Sequence, residues 1–187
     1  MIRHAAIIAG GASRRMGRNK ALLEVEGEPL VARVAAVARA VFPEVFVVTS
    51  SPEIAAAARL PAVPDIFPGK GPLAGIHAAL RHANAPVFCC ACDMPSLDAA
   101  YIRFLCEQLG NYDAVVPRIH GYSEPLHAIY TPACLPVIET ALQSKVGPVD
   151  NVLRQLRVLF VDEEEARRFD AELRMFENWN TPDDVKL

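Results

Sequence analysis

Short apolar runs and longer helical stretches trade places about every ~20 residues along this chain, and few architectures tolerate that rhythm. Arg3 to Ala9 is a continuous apolar run ended by glycine, the pattern of a buried parallel strand. Pro29 then opens a helical stretch, PLVARVAAVARAVF, with Leu30, Val34, Val37 and Val41 predicted on one face. Val45 to Thr49 is a second strand, followed by a helix from Pro52, and Pro72 begins another helix, PLAGIHAALRHA. Pro86 to Cys92 is wholly apolar and therefore a central strand. A helix over Leu97 to Leu109, capped by Ser96, and a strand over Tyr112 to Pro117 continue the alternation. The expected fold is α/β: one domain over residues 1–187, with a mostly parallel twisted sheet and helices on both faces.

The last third is less regular. Leu126 to Tyr130 is expected as a strand antiparallel to its neighbours, Pro132 to Leu142 as a helix, and Gly147 to Leu156 as a turn with a short helix. Val158 to Val161 should be an edge strand, EEEARRF a charged helix, and Leu173 to Phe176 a final short strand. Thr181 and Pro182 can start a helix that leaves Asn178 and Asn180 extended before it.

Ligands in parallel sheets bind beyond the carboxyl ends of the strands. The first such end is followed by GGASRRMGRNK. Gly10 and Gly11 let backbone amides approach a ligand with no Cβ in the way, and Arg14, Arg15, Arg18 and Lys20 place four cations within seven residues. A solvated basic turn is the bland alternative, but the glycine pair, Gly17 and the preceding strand are explained together by phosphate. The spacing is neither GxGxxG nor GxxxxGK[ST], since Ala21 follows Lys20, so this is neither a dehydrogenase fingerprint nor a P-loop.

Net charge is −3, with the cations concentrated at this loop. Such a field gathers a small anion and does not track a polyanion, so nucleic acid is not the expected partner. Five cysteines, three of them in FCCACD, make no disulfide framework and read as small buried hydrophobes in a reducing compartment, a metal site being the alternative. The expected location is cytoplasmic: the start is too short in its apolar part for a signal peptide, and no run approaches the ~20 residues of a membrane span.

Asp93 ends the central apolar strand, an expensive place for a carboxylate unless a cation meets it. Magnesium carrying nucleotide phosphates is the natural partner, because that ion needs only one or two carboxylates beside water and phosphate oxygens. The competing reading makes Asp93 a cap of the following helix. The loop AVPDIFPGKGPLAG delivers Asp65, Gly69, Lys70 and Gly71 to the same end of the sheet, where loops commonly line sites.

Four segments, AGGASRRMGRNKALLEVEGEPL, GPLAGI, CDMP and NWNTPDD, resemble in order and spacing the molybdenum cofactor guanylyltransferase (MobA-type) family of nucleotidyltransferases, from residue 7 to residue 184. The opening (L/V)AGGxSxRMGxxK motif is the most specific. The resemblance implies a nucleotide-diphospho-sugar transferase-like, Rossmann-like fold and transfer of GMP from GTP to molybdopterin, with Mg2+ as cofactor. It implies nucleotide contacts by Ile8, Ala9, Gly10, Gly11, Asp65, Gly71 and Gly75. Arg15, Lys20 and Asp93 become the catalytic residues, Asp93 the magnesium ligand, and Asn178 and Asn180 the acceptor-binding pair. Asp65 would serve either guanine or ribose. Transient contact with molybdenum-insertion proteins or apo-molybdoenzymes belongs to the same expectation.

The chain departs from the family pattern in three places. Asn19 stands where Asp is usual, Ile8 where Leu is commoner, and Thr49, Ser50 and Ser51 where a nucleotide-binding Asn is expected, leaving Thr49 or Ser50 as the weak substitute. His127 either touches the pterin or is structural, and Trp179 either stacks on it or packs at the sheet edge. The rival functions are a cytidylyl- or sugar-1-phosphate nucleotidyltransferase and a non-catalytic nucleotide-binding or cofactor-chaperone module of the same fold.

Overall fold

A computed structural model describes residues 1–10, 20–144 and 147–179. Its spine is an eight-stranded sheet, built from strands that were mostly visible as apolar runs. In chain order the elements begin with β1 (His4–Ile8), the hairpin β2 (Glu24–Val25) and β3 (Glu28–Pro29), α1 (Leu30–Val41), β4 (Glu44–Val48), α2 (Pro52–Ala58) and β5 (Ala62–Val63). There follow α3 (Pro72–Ala83), β6 (Val87–Ala91), α4 (Ala99–Glu107), β7 (Ala114–Ile119), β8 (Tyr122–Ser123) and β9 (His127–Tyr130). The last are α5 (Leu135–Gln143), α6 (Val149–Leu153), β10 (Val158–Asp162) and α7 (Glu163–Arg167).

The sheet order is β10-β7-β9-β6-β1-β4-β5, with β8 paired to β7. Pairing is parallel between β1 and both β4 and β6, between β4 and β5, and between β7 and β10. As expected, β9 runs antiparallel, between β6 and β7. Strand side chains alternate between two cores. Ala5, Ile7, Val47, Phe88 and Cys90 pack with α1, α2 and α4, while Ala6, Ile8, Val48, Cys89 and Tyr130 pack with α3 and α5. Cys89 and Cys90 thus sit fully buried on opposite faces, and burial pushes both thiols up, so they behave as small hydrophobes.

The inward face of α1 carries Leu30, Val34, Val37 and Val41 as expected, with Val37 and Val41 partly buried against the core and Val31, Ala35 and Ala38 buried beside them. Two expectations need correction, the cap of α4 and the strand at Leu173–Phe176. The cap of α4 is Asp98, whose carboxylate accepts from Tyr101 N–H at 2.7 Å; Ser96 lies too early and the helix begins at Ala99. The loop-rich segment 62–75 opens with β5, Ala62–Val63, which pairs with β4. Arg174–Phe176 is a 3-10 turn instead of a strand. Its curl has a local cause, since the Asp170 carboxylate accepts from both Glu172 N–H and Met175 N–H at 3.2 Å, a competitor that the apolar spacing of Leu173 and Met175 conceals.

Candidate active site at the carboxyl edge of the sheet

Ile8 is the meeting point of three parallel strands, in register with Val48 on one side and Ala91 on the other. The ladders continue one step past the strand ends: Ala9 N–H donates to Val48 C=O at 3.0 Å and Cys92 N–H to Ile8 C=O at 3.3 Å. Ala9, Gly10, Thr49 and Asp93 therefore emerge from one edge. Asp65 joins them two residues after β5, and a Cβ built on Gly10 would lie 3.9 Å from its Oδ2. The Asp65 carboxylate thus faces the glycine that follows β1. Its other oxygen, Oδ1, accepts from Phe67 N–H at 2.8 Å, a local turn that fixes the side chain's direction.

The first turn of α3 overhangs the same edge. Gly71 precedes it with φ of +73°, a conformation L side chains rarely adopt, and Gly69 does the same two residues earlier at +81°. Gly75 lies so close to β1 that a Cβ there would sit 2.4 Å from Ile8 Cγ2. What the structure displays at Gly75 and the Ile8 side chain is a packing contact that sets helix against strand. The Ile8 backbone is the part aimed at the edge.

Asp93 does not cap α4, a role that Asp98 fills. Its side chain is half-buried, and burial raises the carboxyl pKa, opposed by a hydrogen bond from its own backbone amide and by the charge of Lys20. Lys20, which opens a 3-10 turn at Lys20–Leu22, is thus near enough for its charge to favour the ionised form of Asp93. The C-terminal segment docks here too: Trp179 N–H donates to the Asp93 carbonyl at 2.8 Å, with Asn178 exposed beside it. Gly11, Arg15, Asn19 and Asn180, and the helix expected from Thr181, lie outside the described residues.

The uncertain candidates separate clearly. Thr49 is buried and its Oγ1 accepts from Ser51 N–H at 3.1 Å, while Ser51 caps α2 through Ile54 N–H. Both are engaged in the local turn, and Ser50 is the exposed member. His127 is fully buried among Phe88, Tyr101 and Phe176, so it belongs to the core. Burial depresses its pKa to about 3, with the Met175 backbone opposing. Trp179 is held by its backbone at Asp93, and its ring is partly buried.

One group of residues escaped sequence reasoning. Ser123 and Glu124 lead into β9 on the same edge as Asp93, and Glu124 is a half-buried carboxylate. The signal was available, a Ser-Glu-Pro turn before an antiparallel strand, but only the pairing of β9 with β6 reveals where that turn points. Among the described residues no three His, Cys, Asp or Glu side chains gather as a ready metal cage. A cation here would depend on Asp93, water and ligand oxygens, which suits magnesium and not zinc.

The MobA-like NTP transferase domain family matches residues 5–159. A probable molybdenum cofactor guanylyltransferase of Pelotomaculum thermopropionicum is 42% identical over 181 residues, covering 96% of this chain and 88% of that protein. The molybdenum cofactor guanylyltransferase of Syntrophotalea carbinolica is 35% identical over 97% of this chain and 88% of its own length. The crystal structure of molybdopterin-guanine dinucleotide biosynthesis protein A from Archaeoglobus fulgidus superposes with a TM-score of 0.83 at 31% identity, covering 97% of this chain and 94% of that one. With a carboxylate, a lysine and a glycine turn assembled at the edge where nucleotides bind in such sheets, the chain belongs to the MobA-like NTP transferase family.

Proposed function

We propose that the protein is a molybdenum cofactor guanylyltransferase, moving GMP from GTP to the phosphate of molybdopterin-bound molybdenum and releasing pyrophosphate. The observation that carries this reading is the convergence of Asp93, Lys20 and the Gly10–Asp65 pair at one sheet edge, in a chain of this family. An acceptor phosphate oxygen attacks the α-phosphorus of GTP, the bond between that phosphorus and the α–β bridging oxygen breaks, and pyrophosphate departs with the electron pair. A phosphomonoester acceptor is already ionised, so no strong base and no side-chain nucleophile are required.

In this scheme the amides of Ala9, Gly10 and Gly11 hold phosphate oxygens, and Gly71 and Gly75 line the nucleotide pocket through their backbone. Lys20, with Arg15, neutralises charge that builds on the α-phosphate and the departing pyrophosphate. Asp65 offers Oδ2, and the free lone pair of Oδ1, to guanine N–H donors or to ribose. Asp93 would hold Mg2+, which when bound supplies further charge neutralisation at the phosphates. Burial raises the cost of the lone Asp93 charge, the setting in which a divalent cation is well received. Asn178, with Asn180, faces the acceptor.

Calorimetric titration with GTP, CTP, UTP and ATP, each with and without magnesium, tests the donor. The account expects selective GTP binding that magnesium strengthens. Preference for CTP or UTP would transfer the chain to a cytidylyl or sugar-nucleotide role, and absence of binding would leave a non-catalytic module.

A further inference from the structure

Glu124 is a carboxylate that the fold pays to enclose and gives nothing to bind. It is half-buried, no hydrogen bond or ion pair engages its side chain among the described residues, and burial raises its pKa. The one charge that favours its ionised form is His120, which lies beyond ion-pair range of it and is itself held by Glu163 at 3.2 Å. Next to it the Ser123 hydroxyl is enclosed by protein and has no hydrogen-bond partner among the described residues. Enclosed polar groups are normally satisfied, so the Ser123 hydroxyl, next to a half-buried carboxylate without a partner among the described residues, is an exception that points to a ligand.

Topology says which ligand. The last bond between β6 and the β9 chain joins Ala91 N–H to Leu126 C=O at 3.0 Å. Asp93 lies two residues beyond it on one chain and Glu124 two residues before it on the neighbour, so both leave the sheet at the same edge. Glu124 N–H donates to Pro117 C=O at 2.9 Å, which fixes its backbone toward β7. Asp65 and Gly10 lie on the opposite side of β1, toward β5. The nucleotide therefore occupies the β5 side of Asp93, and the β7 side, with Glu124, Ser123 and the exposed Tyr122 ring, is left for the second substrate.

We propose that Glu124, assisted by Ser123, is the recognition group for the acceptor's ring, accepting the paired N–H donors of a 2-amino-4-oxo heterocycle such as a pterin. A carboxylate and an aminopyrimidinone edge match as two parallel N–H···O bonds, and a site built to receive both donors rejects rings that lack one. The inference rests on molybdopterin being the acceptor. It separates acceptor specificity, on the β7 side, from donor specificity at Asp65.

The test is steady-state transfer from GTP to molybdopterin by wild type, Glu124→Gln and Ser123→Ala, with GTP affinity measured separately by calorimetry. An amide at position 124 keeps the shape but presents N–H to N–H. The expected result is an acceptor KM raised about 10- to 100-fold, with GTP affinity and kcat at saturating acceptor little changed. Ser123→Ala should raise acceptor KM about 2- to 10-fold while leaving Tm unchanged or higher, because the hydroxyl has no intramolecular bond to lose. An unchanged acceptor KM in Glu124→Gln, or a loss of GTP affinity in its place, overturns the inference while leaving the guanylyltransferase reading intact. Ser123→Ala that lowers Tm with normal KM counts against it equally. Wild type that binds GTP but does not modify molybdopterin removes the acceptor itself, and with it both readings.

Discussion

Gly75→Ala is the sharpest test of how the site is held together. In isolation the change should stabilise α3 by about 1 kcal/mol, because glycine in a helix interior is the poorer helix former. The structure predicts the opposite sign. The new methyl would lie 2.4 Å from Ile8 Cγ2, with Cδ1 at 3.4 Å and Cβ at 3.5 Å, so α3 must move away from β1 or Ile8 must leave its rotamer. Overpacking of this kind costs about 1–3 kcal/mol, giving a net loss of up to about 2 kcal/mol after the helix gain. In a chain of this size that lowers Tm by up to about 8 °C. The nearest obstacles all belong to one side chain, which makes a double-mutant cycle decisive. Ile8→Val keeps Cγ2 and should not rescue the alanine. Ile8→Ala removes Cγ2 and Cδ1, and in that background Gly75→Ala should be neutral or stabilising, a coupling of about 1–3 kcal/mol. Urea midpoints of the four proteins measure it. A Gly75→Ala protein more stable than wild type, with the same increment in both backgrounds, would refute the contact and the placement of α3 over the site.

His127→Phe should flatten the acid limb of the stability curve. Because burial holds the His127 pKa near 3 against about 6.5 unfolded, the unfolded chain binds the extra proton first, so stability is lost as pH falls below about 6.5, by about 2 kcal/mol at pH 5. Urea midpoints from pH 7 to pH 4 should therefore fall less in the variant. Asp98→Ala should cost about 1 kcal/mol by loss of the α4 cap, whereas Ser96→Ala should cost under about 0.5 kcal/mol, a comparison by thermal melts that returns the cap to Ser96 if reversed. Asp93→Asn should lower kcat by about 100-fold or more without lowering Tm, since the amide relieves the desolvation borne by the carboxylate; unfolding of the variant would make Asp93 a structural residue.

Where one physical rule decides, the sequence is readable. The wholly apolar β6 could only be central, and the glycine that ends β1 marks the carboxyl edge of the sheet. The position of Asp93 just past the buried strand was legible, but that it does not cap α4 shows only in the structure, where Asp98 takes that role. The misreadings occur where two local rules compete. Ser96 and Asp98 are both competent caps, and only the register of α4 on the sheet selects the second. At Leu173–Phe176 a carboxylate three residues upstream outweighs the apolar spacing. Glu124 was invisible for a different reason. A carboxylate in a turn is ordinary until an antiparallel strand, paired with a residue 37 positions earlier in the chain, brings it to the edge that Asp93 occupies; that register, Cys90 with His127, is a property of the fold and not of either segment.

GTP labelled at the α-phosphate, incubated with the protein, magnesium and molybdopterin-bound molybdenum, tests the central claim most directly. The account predicts label in the pterin product with one pyrophosphate released for each transfer, none from α-labelled CTP, and loss of transfer in Lys20→Ala and Asp93→Asn. Label that stays in GTP while the wild-type protein binds it, or that moves equally well from CTP, would contradict it.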